Sequence, residues 1–178
     1  MKRIGYLLPL FGLAIIAVYL ALGLGKNPQE LPSVLVNKPV PTFSLPPIKG
    51  QVVGLSSADF QGQVTLVNIF GSWCGACVVE HPFLMKIKNE RLIPIYGINW
   101  REKNRTSGPL WLERSGNPYD LIGDDPNSVG AIAFGVTGAP ESFLVDTNGI
   151  IRIKRAGPIT KEYWNDILWP LIKNLRGK

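Results

Sequence analysis

Residues 64–80 read VTLVNIFGSWCGACVVE and contain the only two cysteines of the 178-residue chain, Cys74 and Cys77. The first seven of these residues are nearly all β-branched or apolar, which predicts a strand buried on both faces. The segment that follows, VVEHPFLMKIKNE, predicts a helix whose apolar stripe is formed by four residues, Val78, Phe83, Met85 and Ile87. Both cysteines are therefore predicted at the turn from a central strand into a helix.

The chain after this turn alternates between strand and helix signals. RLIPIYGIN predicts a second buried strand, SGPLWLERSG a short helix and DPNSVGAIAFG another helical segment. ESFLVD and IIRIKRAG, joined by TNG, predict a β-hairpin, because Asn-Gly is a strong turn signal. TKEYWNDILWPLIKNL predicts a closing amphipathic helix with Thr160 as its N-cap, and TFSLPPIKGQVVGLSS predicts a small hairpin before the core.

This order of elements predicts an α/β fold. Alternating strand and helix units imply parallel strands covered by helices, and the late hairpin adds antiparallel edge strands. The expected architecture has three layers, with a central mixed sheet flanked by helices. A CxxC motif beside such a βαβ pattern is typical of thioredoxin-like redox sites.

The first forty residues predict a membrane anchor and a tether. Residues 4–25 carry no charge, and at about 1.5 Å per helical residue they would span about 33 Å, enough for a bilayer core. Lys2 and Arg3 place residues 1–3 in the cytoplasm by the positive-inside rule. The alternative is a cleaved secretory signal. Residues 26–38 predict an extended linker, and residues 39–178 the thioredoxin-like domain, exported in either case.

The net charge gives little support to nucleic-acid binding. The chain has 19 basic and 13 acidic residues, a formal net charge of +6, with no run of Lys or Arg longer than two. A nucleic-acid groove calls for basic residues clustered on one face or along one helix. We therefore expect a solvated, mildly basic surface and no nucleic-acid partner.

The CxxC motif has several possible chemical roles. Haem attachment needs CxxCH, but residue 78 is Val. A structural zinc site needs four ligands, whereas Cys and His together offer only Cys74, Cys77 and His81, the sole histidine. A disulfide closing so short a loop contributes only about 2 kcal/mol. A redox dithiol without metal or cofactor is the favoured interpretation, and a metal-binding chaperone remains an alternative.

The position of the motif predicts which sulfur attacks. At the start of a helix, Cys74 would lie where unpaired backbone N–H groups and the helix dipole favour the thiolate, which is the attacking species. Cys77 follows one helical turn later and faces the same way, so it is placed to resolve a mixed disulfide. We therefore predict Cys74 as the nucleophile and Cys77 as the resolving thiol.

Four further residues are predicted near the sulfurs. Pro140 precedes the strand ESFLVD, and an X-Pro bond at such a junction is a candidate cis peptide. Glu80 and Glu141 could approach the cysteines, where a negative charge would raise a thiol pKa. Trp73 is predicted to shield the site with its apolar ring.

Several motifs resemble the DsbE/CcmG family of membrane-anchored thiol:disulfide interchange proteins of cytochrome c biogenesis. They include NIFGSWCGACVVEHP, YGIN, GNPY and GVTGAPESFLVDTNGIIRIKRAG, and the resemblance extends from about Val40 to the C-terminus. WCxxC alone indicates only a thioredoxin-like protein, whereas GAPE and YGIN are specific to the family. This chain departs from the family pattern in the Gly75-Ala76 dipeptide, which affects redox potential, and in Thr137, where an aromatic residue is common.

The resemblance implies a periplasmic domain on an inner-membrane anchor, reduced by a membrane electron donor of the DsbD/CcdA type. The domain would reduce the CxxCH disulfide of apocytochrome c, or of a maturation partner, before haem ligation. By the family pattern a cis Pro140 shapes the substrate groove together with Ala139 and Trp73, and Glu80 and Glu141 form the acidic pair. A general periplasmic oxidant is the alternative enzyme.

Overall fold

The computed structural model describes residues 7–24 and 33–177 and divides into two units, Met1–Glu30 and Leu31–Lys178. In the first unit, helix α1 spans Leu7–Leu24. Within the described ranges no helix has the length and apolar character that crossing a membrane requires, so the predicted span over residues 4–25 is not shown. The predicted cytoplasmic N-terminus, and the predicted linker up to residue 32, lie outside the described residues.

The second unit is built on a five-stranded mixed sheet. A small antiparallel pair comes first, β1 (Ser44–Leu45) with β2 (Leu55–Ser56), followed by a 3-10 turn over Ser57–Phe60. The main sheet contains β3 (Thr65–Phe70), β4 (Ile95–Trp100), β5 (Leu121–Asp125), β6 (Glu141–Val145) and β7 (Ile151–Ala156). Its order is β5-β4-β3-β6-β7, with β3, β4 and β5 parallel to one another and β6 and β7 antiparallel to their neighbours.

This sheet confirms the predicted mixed α/β architecture with two differences. Strand β5 had no strong sequence signal, because LIGDD mixes glycine and two aspartates, and the sequence analysis did not predict it. The late hairpin was expected at the edge of the sheet, but only β7 is an edge strand there. Strand β6 pairs with β3 and lies inside the sheet.

The helices also follow the sequence pattern. They are α2 (Gly75–Asn89), α3 (Ser107–Ser115), α4 (Val129–Ala133) and a closing helix made of α5 (Lys161–Tyr163), a π-helical turn (Trp164–Leu168) and α6 (Trp169–Arg176). Thr160 is the N-cap of the closing helix, as predicted, and accepts the Tyr163 N–H. The π turn ends at Leu168, two residues before Pro170, whose missing N–H interrupts the regular hydrogen-bond ladder.

Two apolar clusters fill the space on either side of the sheet. Leu66 and Phe70 of β3 belong to the cluster that includes residues of α2, α3 and the closing helix. Val67 and Ile69 point the other way and pack with residues of α4 and the 3-10 turn. This alternation of side chains places β3 at the centre of three layers.

The buried face of α2 differs from the predicted stripe. Its buried residues are Cys77, Glu80, His81, Leu84 and Ile87, whereas Val78 is 52% exposed. The prediction that Val78 faces the core was wrong, because two polar side chains occupy the buried face and disguise its period. The two polar side chains on this buried face, Glu80 and His81, are described with the candidate site.

Candidate active site

The two cysteines lie at the first turn of α2. Strand β3 ends at Phe70, and after a short turn Cys74 is the N-cap of α2, as the sequence analysis predicted. Cys74 and Cys77 form a disulfide with their Cα atoms 5.3 Å apart. Both residues are buried.

The backbone at this helix start is arranged to stabilise charge on the first sulfur. The Cys77 N–H donates to Cys74 Sγ at 3.1 Å, and the positive end of the α2 dipole points toward the same atom. In the reduced protein, the hydrogen bond and the dipole favour a thiolate at this position. The geometry therefore suits Cys74 as the attacking sulfur.

Trp73 lies at the surface beside Cys74. Its side chain is 51% exposed, its Nε1–H donates to the Trp100 carbonyl at 3.0 Å, and its ring meets the Trp100 ring edge-on at 5.8 Å. The indole is therefore held in place while about half of its surface stays exposed. Its predicted contribution to the substrate groove remains a prediction.

Glu102 is a site residue that the sequence analysis missed. Its Oε1 accepts the Ser72 N–H at 2.6 Å and its Oε2 accepts the Ser72 hydroxyl at 2.9 Å. Only the position of Glu102, two residues beyond β4, could have indicated it, since the ends of parallel strands meet at one edge of a sheet.

The loop before β6 reaches the same edge of the sheet as the cysteines. The Ala139–Pro140 peptide is cis, as predicted, and Ala139 packs against the cluster that contains both cysteines. In the antiparallel register Glu141 pairs with Ile69, the residue before the end of β3. The sheet topology thus brings the cis-proline loop and the cysteine turn together.

Glu80 lies on the buried face of α2, one turn after Cys77. Its Oε1 accepts from Asn68 Nδ2 and its Oε2 accepts from the Ile159 N–H, each at 2.9 Å. Burial raises the pKa of Glu80 from 4.5 to about 7, and the two hydrogen bonds only partly oppose this shift. The carboxyl group can therefore gain or lose a proton near neutral pH.

Asn68 connects Glu80 to other buried polar groups, and the sequence analysis did not predict it either. Its Nδ2 also donates to Ser142 Oγ at 3.0 Å, and its Oδ1 accepts from the Tyr119 hydroxyl at 2.7 Å. Burial, followed by the nearby charge of Glu80, raises the pKa of Tyr119 well above its ordinary value. Tyr119 thus stays a neutral donor that orients Asn68.

Glu141 is as deeply buried as Glu80, but it lies next to a positively charged side chain. Lys154 Nζ lies 3.1 Å from Glu141 Oε2 and donates to the Gly135 carbonyl at 2.7 Å. Glu141 Oε1 accepts the Thr137 N–H at 3.0 Å and also the Thr137 hydroxyl. This network fastens both ends of the cis-proline loop.

His81 packs inside the domain, consistent with a structural role. Its Nε2 lies 3.2 Å from the Ser115 carbonyl and 3.1 Å from the Gly116 carbonyl, and its ring meets Trp111 edge-on. Burial lowers the pKa of His81, although both carbonyls oppose the shift. Across residues 7–24 and 33–177, no three His, Cys, Asp or Glu side chains are grouped to hold a metal ion.

A dithiol at the start of a helix, next to a cis-proline loop on a mixed sheet, defines a thioredoxin-like thiol:disulfide oxidoreductase. The profile of the redoxin family matches residues 35–166. The DsbE thiol:disulfide interchange protein of Pseudomonas aeruginosa is 42% identical over 98% of this chain and 96% of its own length. The DsbE protein of Allochromatium vinosum is 41% identical over 96% and 94%.

Solved structures agree on the fold. A DsbF homologue from Corynebacterium diphtheriae superposes with a TM-score of 0.66 at 22% identity, over 85% of this chain and 95% of its own. A secreted thiol-disulfide isomerase from Corynebacterium glutamicum superposes with a TM-score of 0.63 at 23% identity, over 75% and 85%. These structures show the fold alone. The sequence matches extend over nearly the whole chain, and they show that the chain belongs to the DsbE family of thiol:disulfide interchange proteins.

Proposed function

We propose that this protein is a periplasmic dithiol reductase acting on the CxxCH disulfide of apocytochrome c or of a maturation partner. The Cys74 thiolate attacks one sulfur of the substrate disulfide, and the other sulfur leaves as a thiolate. The Cys77 thiolate then attacks Cys74 in the mixed disulfide. This step releases the substrate as a dithiol and leaves the Cys74–Cys77 disulfide, so two electrons pass to the substrate.

The observation that supports this mechanism best is the position of Cys74 Sγ. It accepts the Cys77 N–H at 3.1 Å at the start of α2, where a thiolate is favoured. Glu80 lies one turn beyond Cys77 on the same helix, and its pKa of about 7 suits a group that takes the Cys77 proton during resolution. Trp73, Ala139 and Pro140 form the groove for the substrate segment.

The oxidised protein needs two electrons from a reductant before it can act again. A membrane dithiol donor of the DsbD/CcdA type is the chemical class that meets this need in an oxidising compartment. The uncharged stretch at residues 4–25 supports an inner-membrane anchor for this arrangement. Extraction of membranes at high pH tests it, because an anchored chain stays in the pellet and a peripheral one is released.

Deletion of the gene in a host without a second reductase tests the substrate. We expect loss of covalently haem-loaded c-type cytochromes, restored by the wild-type gene and not by Cys74→Ser. The Cys77→Ser variant should accumulate a mixed disulfide with the physiological substrate, identifiable by mass spectrometry. Normal cytochrome levels in the deletion strain would contradict the proposal.

The reduction potential distinguishes a reductase from an oxidant. Equilibration with glutathione should give a potential nearer to that of thioredoxin, about −270 mV, than to that of DsbA, about −120 mV. A value at the oxidising end would favour the alternative of a general periplasmic oxidant. One-to-one Cu(I) or Zn(II) binding without disulfide reduction would favour the metal chaperone.

A further inference from the structure

The turn that carries Cys74 is attached to the end of β4 by three hydrogen bonds. Two come from Ser72, whose N–H and hydroxyl donate to the two carboxylate oxygens of Glu102 at 2.6 and 2.9 Å. The third joins Trp73 Nε1 to the Trp100 carbonyl at 3.0 Å. The turn between β3 and the nucleophile is thus fixed to the end of β4 at both Ser72 and Trp73.

Burial of the Glu102 carboxylate at this position is energetically unfavourable. It is 8% exposed, and none of the ion pairs found among the described residues involves it. A buried carboxylate without a cation is costly unless hydrogen bonds satisfy it, and here Ser72 supplies them. The two Ser72 hydrogen bonds therefore satisfy the Glu102 carboxylate at the turn that carries Cys74.

The backbone before Glu102 is bent in an unusual way. Arg101 has a φ of 52°, a conformation that residues other than glycine rarely adopt, and its N–H donates to the Asp125 carbonyl at 3.1 Å. This bend directly after β4 precedes the side chain that reaches back to Ser72. The fold therefore keeps a sparsely populated conformation next to Glu102.

We propose that Glu102 is a positioning residue for thiol–disulfide exchange. By accepting both Ser72 donors it fixes the turn before α2, so that Cys74 Sγ attacks a partner disulfide along a defined line. This inference rests on the proposed role of Cys74 as nucleophile. Misplacement of a reacting group by about 1 Å costs roughly 10²-fold in rate, which sets the scale of the expected effect.

Two substitutions of Glu102 separate its acceptor geometry from its charge. Glu102→Leu removes both acceptors. In Glu102→Gln, Oε1 still accepts the Ser72 N–H and the amide can donate to Ser72 Oγ. With the full-length protein and a peptide disulfide as substrate, we expect Glu102→Leu to lose about 10- to 100-fold in kcat with KM changed by less than about twofold. Glu102→Gln should lose less than about threefold.

The alkylation rate of Cys74 distinguishes lost positioning from a general loss of structure, because a general loss of structure would change this rate as well. Iodoacetamide attacks reduced Cys74 without a defined line of approach to a second sulfur. We expect its rate constant at saturating pH to change by less than about threefold in Glu102→Leu, although kcat for the peptide disulfide falls. The difference between the two reactions reports positioning.

Asp59 provides a matched control on the opposite face of the sheet. Its Oδ2 accepts the Ser56 N–H at 2.7 Å and the Ser56 hydroxyl at 2.8 Å. Asp59 thus accepts from the backbone and the hydroxyl of one serine, as Glu102 does from Ser72. The neighbouring Phe60 packs in the cluster away from the cysteines. Asp59→Leu should lower the melting temperature and leave kcat within about twofold of wild type.

Two results would overturn the proposal. One is a folded Glu102→Leu protein with kcat within twofold of wild type, and the other is an equal loss in Glu102→Gln, which would assign the effect to charge. If Glu102→Leu does not fold, Ser72→Ala replaces it. We expect it to lose about three- to tenfold in kcat, and the further substitution Glu102→Gln should add less than its separate effect. Activity that survives in Cys74→Ser would instead refute the proposed nucleophile.

Discussion

Glu80 and Glu141 are two buried glutamates of the candidate site with different surroundings. They are 2% and 1% exposed, and the family resemblance implied that they form an acidic pair. Glu80 receives hydrogen bonds from two neutral groups, the Asn68 amide and the Ile159 N–H. Glu141 has the Lys154 ammonium group 3.1 Å from Oε2, in addition to Thr137.

The difference shows that burial alone does not determine what a carboxyl group does. Without a cation, burial raises the pKa of Glu80 to about 7, so its proton is exchangeable where the enzyme works. Glu141 instead contacts Lys154 and the Thr137 N–H, and these contacts hold the cis-proline loop. We therefore propose proton transfer as the role of Glu80 and loop support as the role of Glu141.

The largest effect is expected from breaking the buried ion pair. Lys154→Met leaves the Glu141 charge buried without its partner, which should lower the free energy of unfolding by about 3–5 kcal/mol in urea titrations. Adding Glu141→Gln to Lys154→Met should recover part of this loss, because the second change removes the unpaired charge. If the losses of unfolding free energy in Lys154→Met and Glu141→Gln simply add in the double variant, the two side chains are not coupled.

The ion pair between Lys88 and Asp120 supplies the control for that experiment. Both side chains are about one-third exposed. Because solvent screens such pairs, Lys88→Met should cost less than about 1 kcal/mol. A comparable loss at both sites would argue that the Lys154 effect comes from side-chain packing rather than from buried charge.

The second prediction concerns the pH dependence of stability. The pKa of Glu80 is about 7 in the folded protein and 4.5 ordinarily, so between these values the folded state binds more protons. Its contribution is therefore fully present below about pH 4.5 and is lost as the pH rises through 7, by at most about 3 kcal/mol. The unfolding free energy of the wild type relative to Glu80→Gln should therefore fall as the pH rises through this window and stay constant outside it.

Glu141→Gln is the counterpart that tests the comparison. This variant loses the contact with Lys154 but keeps Glu80, so its stability should keep the wild-type pH slope between pH 5 and pH 8. Equal pH slopes in the wild type and Glu80→Gln, or a new slope in Glu141→Gln, would remove the distinction between the two glutamates.

The sequence could predict the elements that carry the cysteines but not the polar network behind them. The apolar run of β3 and the turn into α2 have strong local signals, and so does Asn148-Gly149 in the hairpin. Asn68 interrupts an apolar strand, and its partners Glu80 and Tyr119 lie 12 and 51 residues away. Such contacts depend on strand order, which local periodicity does not encode.

The different surroundings of Glu80 and Glu141 also depend on contacts that local periodicity does not encode. The family resemblance implied an acidic pair, but Lys154 comes from β7, and only the pairing of β6 with β7 brings it beside Glu141. Glu102 is a similar case, since its Ser72 partner lies 30 residues earlier. Local sequence thus predicted where the sulfurs lie, whereas their electrostatic surroundings required the tertiary structure.

The third prediction is kinetic. During resolution Cys77 must lose a proton, and ionised Glu80 on the same face of α2 can take it. In single-turnover release of a peptide from the mixed disulfide, the wild-type rate should rise with pH about a midpoint near 7. Glu80→Gln should lose this rise and be slower at pH 8 by about 10²-fold, whereas Glu141→Gln should keep it. A normal profile in Glu80→Gln would exclude proton transfer by this carboxyl group.

The smallest effect concerns His81, which neighbours Glu80 on the buried face of α2. Burial lowers the pKa of His81 in the folded protein, so its contribution to stability is present above the ordinary value of 6.5 and is lost as the pH falls below it. This slope is opposite in sign to that of Glu80 and should appear once Glu80→Gln removes the larger effect. Because His81 is the sole histidine, adding His81→Gln should flatten the pH dependence of stability just below pH 6.5. A slope that persists in the double variant would assign the acid sensitivity to other groups.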